Sequence, residues 1–75
     1  MLRQIRYESA QRYYLVRCAR NLFGELVLSR YWGGLGSRRG GERHAVMADA
    51  DALAQALAEI ARRRQQHGYV ESRPR

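Results

Sequence analysis

Polar and apolar residues alternate along the first half of the chain, then change to helical spacing. Residues 2–8 alternate loosely and read as a first strand, which runs into a polar break at Ser9, Ala10 and Gln11. Residues 12–19 are rich in strand formers: Tyr13, Tyr14, Leu15, Val16 and Cys18, with Arg12 and Arg17 between them. A period of two puts Tyr14, Val16 and Cys18 on one face, which reads as core, and leaves Tyr13 and Arg17 opposite. Asn21 and Gly24 mark residues 20–24 as a connection. A third strand covers 25–32, with Leu26, Val27, Leu28 and Tyr31. Five glycines among the nine residues 33–41 read as a loop with no regular element inside it. A short fourth strand follows over 42–48.

The second half holds one helix. Asp49 or Asp51 caps it, and Leu53, Leu57 and Ile60 form an apolar stripe with Ala50, Ala54 and Ala61. Asp51, Gln55, Glu59, Arg62 and Arg63 fall mostly on the wet side. Acids at the start and Arg62, Arg63 and Arg64 at the end suit the helix dipole. Gly68 is a C-terminal stop, and the stretch after Tyr69, with Pro74, is expected to fray. Four strands followed by a helix define an α+β layer pair. The domain is read as 1–71, with 72–75 a frayed basic tail.

Size and composition narrow the function. Seventy-five residues make one domain, with little room for a deep catalytic cleft. At 45% hydrophobic and 28% charged residues with a single proline, the chain is globular rather than disordered. No apolar run approaches the roughly 18 residues of a membrane span. The N-terminus, with Arg3 and Arg6 and no apolar stretch, is no secretory signal, so the protein is expected in the cytoplasm. Cys18 is alone and reads as a small buried strand residue.

Charge gives the first functional clue. Fourteen basic residues, all arginine, face seven acids, for a formal net charge of +7. The isoelectric point is near 10.8. Such a field attracts polyanions. A GC-rich genome accounts for the missing lysine, but codon bias swaps one base for another and creates no surplus of charge. Guanidinium also suits phosphate, because its planar fork binds in bidentate fashion and stacks on rings.

The segment around Trp32 concentrates these features. A tryptophan ends a strand, glycines follow at once, and Arg30, Arg38, Arg39 and Arg43 surround them. Arginines neutralise phosphates while an aromatic face packs on a sugar or base. On chemistry alone, a core anchor is the commoner role for a lone tryptophan, and a flexible hairpin connection the commoner one for such a glycine run. The glycine run is neither a dinucleotide fingerprint, since the third glycine and the βαβ unit are missing, nor a P-loop, since there is no lysine.

Leu22-Phe23-Gly24-Glu25, Arg30-Tyr31-Trp32-Gly33-Gly34-Leu35-Gly36-Ser37, an apolar strand, a helix and a closing His67-Gly68-Tyr69 together resemble the WGR domain family. The likeness runs from Ile5 to Tyr69 in consistent order. It implies an antiparallel sheet of about four strands packed on one C-terminal α-helix, and nucleic-acid binding. In the DNA-dependent poly(ADP-ribose) polymerases this domain grips DNA near a strand break, with the motif tryptophan against a sugar. By that resemblance Trp32 and Gly33 become contact residues, with Arg30, Arg38 and Arg39 supplying charge. Tyr69 corresponds to the family's closing aromatic, and Gln11 and Arg12 to its polar-basic pair. The departure is Gly34, where the family has arginine; that arginine touches DNA and also signals to neighbouring domains.

Nothing in the sequence favours catalysis. His44 reads as an ordinary strand position and His67 as a helix end, and neither has a partner suited to nucleophilic, acid–base or metal chemistry. No cofactor or metal is expected. The expected partner is nucleic acid, DNA rather than RNA, with little base readout. The rival is a protein-interaction adaptor built on Tyr7, Tyr13, Tyr14, Tyr31 and Trp32 among arginines. Membrane binding and a small-molecule substrate are not expected.

Overall fold

A computed structural model describes residues 3–72, arranged as β1 (Arg3–Glu8), β2 (Arg12–Arg20), β3 (Leu26–Gly34), β4 (Gly40–Met47), α1 (Ala50–Gln66) and β5 (Val70–Ser72). The strands form one sheet in the order β4-β3-β2-β1-β5, and every neighbouring pair is antiparallel. The first four strands form a meander. The helix then crosses one face, and the chain returns as β5 beside β1. Among the described residues no helix is long and apolar enough to cross a membrane.

Period-two alternation decides which face the helix covers. Tyr14, Val16 and Cys18 are buried together with Tyr7 of β1 and Leu28 of β3, as the alternation in β2 requires. Ile5, Met47, Leu53, Ala56 and Leu57 pack around them, and Ile60 is the one fully buried helix residue. Val16 and Leu28 are each 1% exposed, a burial worth about 1.5–3 kcal/mol apiece. Cys18 is buried and free. The opposite face carries Tyr13, Leu15, Arg17, Ser29, Tyr31 and His44, and no described element covers it.

Asp49 caps the helix, its carboxylate accepting from the Ala52 amide at 2.8 Å, while Asp51 lies in the first turn. The apolar stripe differs from the expected one: Ala50, Ala54 and Ala61 are exposed, and Ala56 takes their place. At roughly 100° per residue the three alanines sit about 60–100° off the line through Leu53 and Ile60. Gly68 ends the helix at φ +81°.

Two further expectations are revised. The stretch after Tyr69 does not fray at once, because Val70–Ser72 pairs with β1. The rest of the expected tail, residues 73–75 including Pro74, lies outside the described residues, as does Leu2. The glycine segment is also no nine-residue loop. Gly33 and Gly34 continue β3, Gly40 and Gly41 begin β4, and only residues 35–39 turn. Glycine is needed here for approach rather than flexibility, as the Trp32 geometry shows.

Candidate nucleic-acid interface

Trp32 lies near the end of β3 on the helix-side face, paired across the sheet with Tyr14 and Gly41. A Cβ on Gly41 would stand 2.7 Å from the indole Cζ2 and 2.8 Å from Cε2, so the ring rests directly over that glycine. On the other flank it stacks on Tyr14, with centroids 6.2 Å apart and planes inclined by 15°. Tyr14 is buried, yet Trp32 beside it remains 38% exposed. The indole is therefore neither core nor loose. It is an aromatic surface held from below.

Five arginines from five parts of the chain meet around this ring. Arg30 and Arg43 are direct cross-strand partners on β3 and β4. Like charges facing each other across an antiparallel pair are destabilising, so this placement serves something other than the fold. Arg12 enters from the start of β2, Arg39 from the turn and Arg64 from the last turn of the helix. Together with Trp32, Tyr14 and Tyr69 they line an open groove of about 590 Å³. The ion pairs among the described residues are Arg6–Glu8, His44–Glu42, Arg62–Glu59 and Arg63–Glu59. None of them takes an arginine from the groove.

Arg64 is the most constrained of the five. Its guanidinium carbon lies 4.2 Å from the centre of the Tyr14 ring and 5.0 Å from that of Tyr69. Its Nε is buried without a hydrogen-bond partner. An unpaired buried donor on a charged group is costly, and an incoming oxyanion at the same guanidinium offsets that cost.

The structure sorts the residues named from sequence. Trp32, Gly33, Arg30, Arg39, Arg12 and Tyr69 all line the groove. Arg38 and Gln11 do not. Arg38 is exposed in the turn, and the Gln11 carbonyl accepts from the Leu35 amide at 2.8 Å, fastening the turn to β2. Arg43, placed beside Trp32 by the sequence, lines the groove as well, whereas Arg64 and Tyr14 are groove residues that the sequence reading does not name as contacts. A signal for Arg64 was present, since residue 64 follows Ile60 by four and continues the apolar stripe. The aromatic patch of the adaptor reading does not assemble. Tyr7 and Tyr14 are buried, while Tyr13 and Tyr31 lie on the face opposite Trp32.

His44 is exposed on that opposite face, joined to the Ser29 hydroxyl by a 2.7 Å hydrogen bond through Nδ1 and 3.6 Å from a Glu42 oxygen at Nε2. Ser29 is 9% exposed and stands apart from the groove.

Fold and groove together define a class: a small sheet-and-helix module with an unneutralised, aromatic-backed arginine groove suited to a polyanion. The family model of the WGR domain matches residues 1–75, and the chain belongs to that family, one associated with nucleic-acid binding. No curated protein and no solved structure matches the chain significantly.

Proposed function

We propose that this chain is a non-catalytic DNA-binding module that grips the nucleic-acid backbone, with preference for a strand break and little regard for sequence. One observation carries the reading: five arginines, none of them ion-paired among the described residues, converge on the groove where Trp32 is exposed. Guanidinium forks neutralise phosphates. The indole, held on Tyr14 and Gly41, packs against a sugar or an unstacked base, which a break exposes and an intact duplex does not. The groove offers arginines and aromatic rings, groups suited to phosphate and sugar, so specificity rests on backbone geometry.

Fluorescence anisotropy tests the reading on a closed hairpin, a nicked duplex and a single strand. The nicked duplex is expected to bind tightest, and Trp32→Ala to remove most of its advantage. Equal binding to all three, unchanged by the substitution, would overturn it.

A further inference from the structure

The end of the sheet remote from Trp32 presents a different surface. Leu26, where β3 begins, is six residues from Trp32, or roughly 20 Å at the rise of a strand. Residues 21–25 form the turn between β2 and β3, and hydrogen bonds close it tightly. The Asn21 carboxamide oxygen accepts from the amides of Phe23 at 2.9 Å and Glu25 at 3.0 Å, and its amide group donates to the Glu25 carboxylate at 3.0 Å. The Arg20 guanidinium donates to the Gly24 carbonyl at 2.6 Å. On this fixed turn Leu22 is 101% exposed and Phe23 is 85% exposed.

These two side chains give their own fold almost nothing. Polar residues would serve the turn as well, and burying each of these side chains against another surface is a gain because it removes apolar area from water. Because the turn is already rigid, little ordering would oppose that gain. A shallow groove of about 500 Å³ adjoins the turn, lined by Leu26, Met47 and the 56% exposed Val46, with Arg20, Glu25 and Asp49 at its rim. Asp51 follows in the first helical turn. The rim of this groove sets Glu25 and Asp49 against Arg20, in contrast to the arginines alone that line the Trp32 groove. Phosphate, whether of nucleic acid or of a lipid surface, finds here none of the arginine cluster that surrounds Trp32.

We infer that the Leu22–Phe23 turn and its groove dock a second protein, one that offers an apolar cleft with a basic rim. The docking surface and the Trp32 groove share no lining residue, so one chain holds nucleic acid and protein at once. The docking inference does not depend on the DNA reading.

A random peptide library selected on the immobilised full chain provides the probe, with affinities of the selected peptides then measured by anisotropy. The inference predicts peptides that combine aromatic or aliphatic residues with arginine or lysine. They should bind wild type and Trp32→Ala equally, persist in the presence of nicked duplex, and lose at least about tenfold on a Leu22→Ser, Phe23→Ser variant. That variant should melt with the wild type, because both side chains are exposed. Acidic peptides, no selectable peptides, or undiminished binding to the variant would overturn the inference. So would sedimentation equilibrium showing a wild-type self-association that the variant abolishes, since the surface would then serve a second copy. If DNA binding alone fails while the peptides behave as expected, only the nucleic-acid reading falls.

Discussion

Arg64 lies over the ring of Tyr14, its guanidinium carbon 4.2 Å from the ring centre, while Trp32 stacks on the same tyrosine. Tyr14 thus belongs to the core and to the groove at once. Through it the last turn of the helix, the middle of the sheet and the exposed indole hold one another in place. A cation–π contact of this kind is worth about 0.5–2 kcal/mol, more as it is desolvated. Arg64→Lys keeps the charge but loses the planar group that lies on the rings. We expect it to weaken DNA binding several-fold, read by anisotropy, and to lower the melting temperature by a few degrees. A variant indistinguishable from wild type in both would show that the stack is incidental.

Trp32 and Gly41 form a matched pair, so altering either should have the same consequence. Stacking on an aromatic is worth about 1–3 kcal/mol per base, so Trp32→Ala should weaken binding by about 5- to 100-fold. Gly41→Ala leaves every charge and the indole intact, but its new Cβ would stand 2.7 Å from the ring. The ring must move, and a measurable part of the Trp32→Ala loss should appear while circular dichroism stays native.

Gly34 offers a gain of function. Its missing side chain stands where the family to which this chain belongs carries arginine, and a charge-assisted hydrogen bond is worth about 1.5–3 kcal/mol. A Cβ at this position would meet the Ser37 Cβ at 3.1 Å, so the substitution needs room. Gly34→Arg combined with Ser37→Gly should tighten DNA binding about tenfold or more and steepen its salt dependence. No change in a titration against the nicked duplex would mean that this position points away from the bound strand.

Much of this arrangement was legible in the sequence. Alternation in β2 identified the core face, Asp49 and Gly68 bounded the helix, and the sign and chemistry of the groove followed from arginine beside Trp32. What stayed hidden depends on pairing across the chain. Residues 33–41 look like a loop until β3 and β4 are brought together, when Gly41 becomes the bed of the indole. Arg43 gains its place only through its register with Arg30. Val70–Ser72 is too short to read as a strand by itself, and β1 makes it one. Tyr13 and Tyr31 look like companions of Trp32 until the register sends them to the other face.

Tyr7 supplies a test of the fold that does not involve the groove. Burial, reinforced by the negative charge of Glu71 and opposed by Arg3, raises its phenol above the ordinary value of 10.0. The folded state therefore favours the neutral phenol. Its contribution to stability is complete below the unfolded-state pKa and is lost as pH rises through the folded-state value. The urea midpoint should fall as pH rises past the ordinary phenol value of 10.0, and Tyr7→Phe should remove part of that fall. An identical alkaline profile in the variant would assign the loss to other groups.

The central claim is that unpaired arginines in the Trp32 groove neutralise phosphates, and salt titration measures this directly. Log affinity for a nicked duplex, plotted against log salt, should be linear for the wild type. With roughly three to five phosphates engaged, the slope should lie between about −3 and −4.5. Arg43→Gln should make it shallower by about one, while Arg38→Gln, outside the groove, should leave it unchanged. A wild-type affinity indifferent to salt, or equal effects of the two substitutions, would contradict the account.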